Sequence, residues 1–453
     1  MTRMNLDLAR PPAAYVLANA RVPACLLPDS ISAADRRHIG QSRHEDLIAV
    51  DLTIGEGRLA AIAPAGGSAP EVPRLDLAGG LVLPGLVDIH THLDKGFIWT
   101  RAPNQDGSFD GAMAAVAADR AAHWTEEDIA RRFDFALRCA YAHGTCAIRT
   151  HLDSDGERGA IAWRVFARMR EAWKGRIELQ GVGLIAIDAV LDDAVFTPLV
   201  EQIRAHGGLL GSYTYGTPNL AAGLERLFDA AETHGLALDL HVDERDRDGR
   251  GLAAIAALAL RRRFEGPILA GHCCALALQG AEEIDRTLDV VARAGIAIVS
   301  LPMCNLYLQD REPARTPRWR GVTLVHEMRA RGIPVMVASD NARDPFYAYG
   351  DLDLIEVYRE ATRIAHLDHP FAGWPAIISR TPAEQMGLAT GRLTPGAAAD
   401  LCLLRARSLN ELLARPQADR IILRRGRAID ARAPDYAELD DLMESRKGPC
   451  HGL

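Results

Sequence analysis

Histidines and one aspartate stand at the ends of apolar runs in this chain, where they could hold a metal ion. His90-Thr91-His92 has the His-x-His spacing, and side chains two residues apart on a strand project to the same face, so one ion can accept both rings. His241 and Asp340 end later apolar runs. Together they form a mixed nitrogen and oxygen ligand set that suits a divalent transition metal. The alternative is that His90 and His92 are exposed loop residues.

The elements that must position these residues are short apolar runs, each followed by a helical pattern. We identify eight runs: residues 81–90, 145–151, 177–184, 208–214, 236–241, 267–272, 296–301 and 333–340. Their spacing fits a strand, a helix and two loops per unit, and eight such units predict a (β/α)8 barrel. The first interval is longer, and we expect an extended loop over residues 93–125 before a helix over 126–141.

The barrel prediction explains why the polar residues matter. In this fold the carboxyl ends of the strands form the active-site face. His151 and His272 also end predicted strands, so we expect them beside the proposed ligands. Short alternating strands near both termini, such as residues 15–22 and 420–427, predict a small β domain built from 13–80 plus 393–435, which flanks a barrel of 81–392.

Composition narrows the class of protein. The chain has 453 residues and a net charge of −8, which argues against a nucleic-acid partner because phosphate binding needs a basic surface. The first residues lack the apolar run of a signal peptide, and no uninterrupted apolar stretch approaches 18 residues. The eight cysteines include no Cys-x-x-Cys pair. We therefore predict a cytoplasmic enzyme without a membrane partner, and a homo-oligomer as the usual state.

Several motifs together resemble the amidohydrolase superfamily, and in particular its cytosine deaminase branch. The resemblance runs from about residue 15 to residue 430, with the motifs in the expected order on the expected strands. It implies a (β/α)8 barrel with a flanking β-sandwich, and hydrolysis at a carbon of a heterocycle. The motifs are residues 84–96 around His90 and His92, His241-Val242-Asp243-Glu244, Gly271-His272, Ser339-Asp340-Asn341, and the stretches 302–309 and 318–321.

The resemblance also bears on the metal. Binuclear relatives bridge two ions with a modified lysine or a carboxylate at the end of strand four, and residues 208–214 contain neither. None of the three lysines, Lys95, Lys174 and Lys447, falls near that strand. We therefore predict one divalent ion per chain, held by His90, His92, His241 and Asp340. Zinc and iron both accept this set, so the choice between them stays open.

A mechanism follows as a hypothesis. Hydroxide generated at the ion attacks the amino-bearing carbon, and ammonia leaves. Glu244 serves as general acid and base, His272 orients the hydroxide and stabilises the tetrahedral carbon, and Asp340 accepts a proton. The alternative for Glu244 is a solvated place in the acidic loop 243–248. His151 is expected near the ion without binding it.

The substrate is a small aminated N-heterocycle, by resemblance a cytosine-like pyrimidine. Cytosine deaminases carry a glutamine after strand three, where this chain offers Asp188, and a second aspartate after strand eight, where it has Asn341. The predicted substrate-binding residues are Asp188, Asn341, Asn305 and Lys95. The lysine at position 95 resembles the one in a relative that hydrolyses N-alkylated triazines. The alternatives are a pterin or aminotriazine aminohydrolase, a cyclic amide hydrolase, and an inactive barrel that acts as a binding protein.

Overall fold

A computed structural model describes residues 6–29, 45–214, 217–245 and 249–444 of the chain. Lys447 and residues 246–248 of the acidic loop therefore lie outside the described residues. The strands within these ranges are β1 (Ala14–Pro23), β2 (Leu47–Gly55), β3 (Arg58–Pro64), β4 (Arg74–Asp76), β5 (Val82–Pro84), β6 (Leu86–Thr91), β7 (Thr145–Asp153), β8 (Glu178–Ala186), β9 (Leu209–Tyr213), β10 (Leu238–Val242), β11 (Ile268–His272), β12 (Ala297–Ser300), β13 (Val335–Val337), β14 (Leu401–Leu403), β15 (Ile421–Arg424) and β16 (Arg427–Ala428).

The α-helices alternate with the strands through the middle of the chain. They are α1 (Phe109–His123), α2 (Glu126–His143), α3 (Gly156–Ala172), α4 (Asp193–His206), α5 (Leu220–His234), α6 (Gly251–Arg262), α7 (Ala281–Arg293), α8 (Pro302–Leu308), α9 (Val325–Ala330), α10 (Leu354–Ala365), α11 (Arg380–Gln385), α12 (Leu409–Ala414) and α13 (Asp440–Met443). Short 3-10 helices cover Ala24–Leu26, Ile187–Leu191, Cys274–Leu278, Trp374–Ile378 and Tyr436–Leu439. Among the described residues, no helix has the length and hydropathy needed to cross a bilayer.

The central sheet is the predicted barrel. Strands β6 to β13 lie side by side in chain order, and neighbouring strands from β8 to β13 pair in parallel. A parallel bridge between Thr91 and Asp340 joins the two ends of the sheet, with the Asp340 amide donating to the carbonyl of His90 at 2.9 Å. All eight predicted strands overlap an observed one, so the (β/α)8 prediction is confirmed.

The first predicted run is in fact two strands. Residues 81–90 divide at Gly85, with β5 pairing with β14 in a small antiparallel sheet and β6 entering the barrel. A Cβ atom at Gly85 would lie 2.7 Å from the Sγ of Cys146. The chain can pass from one sheet to the other here because this residue has no side chain.

The extended loop predicted over residues 93–125 is wrong, since helix α1 occupies its second half. The Ser108 side chain accepts a hydrogen bond from the amide of Gly111 and caps the helix, as serine commonly does. The helix is rich in alanine and buries only Ala112, Val116 and Asp119. Its apolar stripe is therefore too weak to reveal the helix in the sequence.

The two small sheets contain the strands predicted near the termini. Their orders are β3-β2-β1-β4 and β16-β15-β14-β5, and the Tyr15 hydroxyl on β1 donates to the carbonyl of Gly426 at 2.5 Å. Both sheets fall in a compact unit of Met1–Ile89, Ala140–Ile148 and Asp353–Arg432. The other unit comprises His90–Cys139, Arg149–Leu352 and Ala433–Leu453. The domain boundaries proposed from the sequence stay a prediction.

Candidate metal centre and active-site cavity

Strand ends bring the proposed ligands to one place. His90 lies on β6 and His92 directly after it, His241 on β10, and Asp340 three residues after β13. All four are buried, with at most 5% of any residue exposed. The backbone of Asp340 takes a positive φ of 62°, a conformation that aspartate tolerates better than most residues. That turn ends the last barrel strand at its carboxyl end.

The ligand atoms of these residues lie close together. The Nε2 atoms of His92 and His241 are 3.2 Å apart. Oδ1 of Asp340 is 3.4 Å from Nε2 of His92 and 3.6 Å from Nε2 of His90. The structure therefore brings together all four residues that the sequence proposes as metal ligands. Two overlapping groups have candidate ligand atoms within 4.8 Å of one another, His90 with His92, His151 and His241, and His90 with His272 and Asp340.

The chemistry of this group fits a cation. Both ring nitrogens of His90, and Nδ1 of His92 and His241, are buried without a hydrogen-bond partner among the described residues. Such atoms are costly to bury unless something binds them. Burial and the neighbouring ionisable groups, mainly other histidines, lower the pKa values of His90, His92 and His241 well below the usual range. The rings are therefore neutral and keep the lone pairs that a metal requires.

His151 is anchored beside this group. Its Nε2 lies 3.1 Å from Oδ1 of Asp239, and Oδ2 of Asp239 accepts from Nη1 of Arg149 at 2.8 Å. The side chain of Asp239 is fully buried. Because a carboxylate accepts hydrogen bonds, Nε2 of His151 is the donor in this pair. Its Nδ1 has no hydrogen-bond partner among the described residues. Asp239 was not among the predicted site residues, although its side chain faces the same way as that of His241, two residues later on β10.

Glu244 and His272 form the other side of the centre. Oε1 of Glu244 lies 3.3 Å from Nδ1 of His272, and the amide nitrogen of Asn305 reaches both, at 3.4 Å and 3.0 Å. An amide nitrogen can only donate, so Nδ1 of His272 accepts and Nε2 carries the proton of the neutral ring. Burial and then the charge of His151 lower the pKa of His272 to about 3.

The surroundings of Glu244 favour the acid form of its carboxyl group. Burial first, and then the charge of Asp340, raise its pKa well above the usual range. The side chain is 6% exposed and lines a cavity that also reaches His92, His241 and Asp340. A buried acid at the metal group, facing a cavity, is an arrangement suited to proton transfer at neutral pH.

The cavity opens to solvent, and the space within it and its mouth amounts to about 670 Å³. Its inner wall is polar, and helix α1 and Phe346 contribute much of its apolar wall. The lining residues are His92, Lys95, Phe109, Met113, Val116, Ala117, Arg120, Asp153, Asp155, Leu184, Tyr213, His241, Glu244, His272, Asp340, Asn341 and Phe346. The residues that α1 contributes to the cavity were not predicted from the sequence, because a loop was expected over this segment.

The predicted substrate contacts fall in different places. Lys95 and Asn341 line the cavity. Asn305 is completely buried and donates to Glu244 and His272, so it lies behind the wall and positions those two groups. The structure does not bring Asp188 to the cavity. It is an exposed residue of the 3-10 helix after β8, where its Oδ1 accepts hydrogen bonds from Thr217 and Asn219.

Comparison with known proteins identifies relatives over nearly the whole chain. A model described as Amidohydrolase family matches residues 75–131 and 141–426. A pterin deaminase of Rhizobium rhizogenes is 49% identical over 444 residues, which cover 97% of this chain and 100% of that protein. A 5-methylcytosine deaminase structure from Klebsiella pneumoniae, liganded with 5-fluorocytosine, aligns with a TM-score of 0.76 at 22% identity, covering 92% of this chain and 97% of that one. N-isopropylammelide isopropylaminohydrolase from Burkholderia multivorans gives a TM-score of 0.71 at 25% identity, covering 92% and 98%.

Proposed function

The chain belongs to the amidohydrolase family, and from that premise we propose that it is a metal-dependent hydrolytic deaminase that acts on a pterin. The observation that carries the reaction is the buried metal-ligand group with an acidic Glu244 beside it in one cavity. The class predicted from the sequence, a hydrolase of C–N bonds in N-heterocycles, is confirmed by the relatives. Of the cytosine, pterin and aminotriazine alternatives, we favour the pterin because the 49% identical relative is a pterin deaminase.

We propose that His90, His92, His241 and Asp340 hold one divalent ion, zinc or iron. Such an ion lowers the pKa of a bound water and so supplies a nucleophile at neutral pH. Strand β9 ends at Tyr213 and contains neither lysine nor acid, which supports a single ion. Burial first, and then Asp155 and Asp153, raise the pKa of Tyr213 to about 12, so its hydroxyl stays protonated as a donor.

Glu244 is the general acid and base of the proposed reaction. Its protonated carboxyl group gives a proton to the ring nitrogen next to the amino-bearing carbon, which makes that carbon more electrophilic. It then takes one proton from the attacking water and passes it to the amino group, which leaves as ammonia. As the new hydroxyl group on the carbon becomes an oxo group, its proton passes to Asp340 and from there back to Glu244, which restores the acid form. The hydrogen bond from the amide nitrogen of Asn305 holds Oε1 in place for these transfers.

His272 stabilises the developing tetrahedral carbon. Because Nδ1 accepts from Asn305 at 3.0 Å, Nε2 presents a proton toward the group that it shares with His90 and Asp340. A neutral ring that cannot lose its orientation is a preorganised donor for the new oxygen. Its pKa of about 3 keeps the ring neutral throughout the physiological range.

The substrate class, the cellular location and the oligomeric state are also proposals. We propose that the partner is a small-molecule heterocycle and neither nucleic acid nor a membrane, that the enzyme is cytoplasmic, and that it forms a homo-oligomer. The cyclic amide hydrolase and the inactive binding protein are less favoured, because the 49% identical relative is a deaminase and the side chains of the four proposed ligands lie close together.

The test is a product assay with the metal-loaded full chain. Pterin, isocytosine, cytosine and N-isopropylammelide are each supplied. Released ammonia, or isopropylamine in the case of N-isopropylammelide, is measured together with the ultraviolet spectrum of the product. We expect ammonia and the dioxo product from pterin, with about one metal ion per chain. A ring-opened product, or no ammonia from any of them at full metal loading, would contradict the proposed function.

A further inference from the structure

Four charged side chains form a row along one wall of the cavity. Nζ of Lys95 lies 3.1 Å from Oδ1 of Asp153. Nη1 of Arg120, on helix α1, lies 3.5 Å from Oδ2 of Asp153 and 3.6 Å from Oδ2 of Asp155. All four residues line the cavity, and signs alternate from one to the next. Only Lys95 was among the predicted site residues.

The row runs from the interior of the cavity to its mouth. The exposed fraction of the side chains rises from 7% for Lys95 to 14% for Asp153, 24% for Arg120 and 45% for Asp155. Lys95 follows the ligand His92 by three residues, so the buried end of the row adjoins the metal group. Arg120 therefore lies farther from the reacting carbon than Lys95 does.

The ion pairs of Arg120 leave N–H donors of its guanidinium available for a ligand. Its two ion-pair distances exceed the roughly 2.7–2.9 Å of a charge-assisted hydrogen bond, and a guanidinium has five N–H donors. Arg101 shows the contrast, because its Nε and Nη2 atoms bind Asp119 at 2.7 Å and 2.9 Å. A loosely paired arginine on a cavity wall can turn its donors to a ligand.

A pterin has two fused rings, and only one of them carries the amino and oxo groups. When the amino-bearing carbon reaches the metal group, the second ring extends toward the mouth. The nitrogens of that aromatic second ring are acceptors and need donors. Beyond Lys95, Arg120 is the one member of the charged row that donates, since its neighbours Asp153 and Asp155 are carboxylates.

We propose that Arg120 is a specificity-determining residue that donates hydrogen bonds to the second ring of a bicyclic amino-oxo heterocycle. This inference rests on the proposed function and deepens it. Arg120 selects pterins over single-ring pyrimidines, while Phe109 and Met113 of the same helix supply apolar surface for the flat ring system. A single-ring substrate reaches the inner end of the row and leaves Arg120 unused.

The experiment compares pterin with isocytosine, which is the amino-oxo ring of pterin without the second ring. For Arg120→Met, which keeps an apolar side chain on the helix, we expect kcat/KM for pterin to fall roughly ten- to hundredfold, mostly through KM. The value for isocytosine should change less than about threefold, as should its inhibition constant where turnover is too slow to follow. Arg120→Lys should recover part of the loss for pterin.

The matched control is Arg245→Met. Arg245 holds the same helix through Asp110, at 2.9 Å, from outside the cavity lining, so this variant tests whether loosening α1 is enough. We expect it to leave the ratio of the two substrates unchanged. The inference is overturned by equal losses for both substrates in Arg120→Met, by no loss for pterin, or by the same selective loss in Arg245→Met.

Binding separates this inference from the proposed function. Quenching of pterin fluorescence measures its affinity for the metal-loaded protein without turnover. If the wild type binds pterin but releases no ammonia, the deaminase proposal fails, and weaker pterin binding by Arg120→Met still supports the subsite. If both proteins bind pterin equally, the subsite is contradicted whatever the turnover.

Discussion

Replacing Glu244 by glutamine removes a titratable proton and almost nothing else. The side chain is buried, and Oε1 accepts from the amide of Asn305 at 3.4 Å. The glutamine oxygen can accept the same bond in the same volume, so the cavity keeps its shape. The ring nitrogen of the substrate then has no acid to protonate it, and the departing amine has no proton donor.

The expected loss of activity follows from the role of Glu244 as general acid and base. Proton transfer by a positioned side chain contributes about 10²- to 10⁴-fold, which corresponds to roughly 3–5.5 kcal/mol of activation free energy. We expect kcat to fall by this factor and KM to change by less than about threefold, because the lost interaction acts in the transition state. The metal ligands are not altered, so the metal content should stay the same.

The assay measures kcat and KM for pterin by ammonia release, with metal content determined on the same samples. Glu282→Gln, an identical change at an exposed position in the first turn of α7, is the matched control and should behave as the wild type. A Glu244→Gln protein that keeps its metal and more than a tenth of its kcat would refute the acid and base role. A variant that loses its metal would instead show that Glu244 supports the ion.

Three further predictions concern burial, pH and the ion. Asp239→Asn leaves the nearly buried guanidinium of Arg149 opposite a neutral group. We therefore expect the free energy of unfolding to fall by about 3–5 kcal/mol, which is measured as a lower unfolding temperature. Adding Arg149→Met in a double variant should partly restore that temperature. Burial raises the pKa of Asp344 to about 6, so the native state holds a proton that the unfolded chain loses near pH 4. The folded protein therefore loses about 3 kcal/mol of stability at this residue as the pH rises from 4 to above 6. The unfolding temperature of Asp344→Asn relative to wild type should therefore rise between pH 5 and 7, and a flat difference would contradict the shift. Removing the metal by chelation should abolish ammonia release and lower the unfolding temperature, because an ion that binds only the native state stabilises it by about 4 kcal/mol at a thousand times its dissociation constant. One equivalent of zinc or iron should restore both, and full activity in metal-free protein would contradict the role of the ion.

The barrel and the metal group were predictable from sequence for the same reason. Strand periodicity locates each strand, and the position of a polar residue at the carboxyl end of its strand then fixes the face on which it lies. His90 and Asp340, far apart in the chain, could be brought together by this argument alone, because the parallel bridge that closes the barrel joins their strands. Asp239 was open to the same reasoning, as it precedes a proposed ligand by two residues.

The cavity wall was not predictable in this way. Helix α1 gives no strong apolar stripe, so Arg120 had no predicted element on which to be placed. Asp188 was selected by alignment to a glutamine, but the chain leaves β8 in a 3-10 helix that turns this side chain to solvent. Asn305 lies on a short helix after β12, and the sequence cannot tell whether such a residue faces the cavity or stands behind it.

Lys95 shows how the charges of the cavity orient a substrate. Burial opposes its charged form, but Asp153, Asp94 and Asp344 surround the ammonium and raise its pKa. The inner end of the cavity therefore holds a permanent cation, beside imidazoles that burial keeps neutral. A cation can donate to a carbonyl oxygen or an unprotonated ring nitrogen, but it repels the N–H groups of an exocyclic amine. An amino-oxo ring that enters this cavity is thus favoured with its oxo edge at Lys95 and its amino-bearing carbon toward His92, His241 and Asp340. The carboxylates that keep Lys95 charged are for this reason part of what decides which C–N bond is presented for hydrolysis.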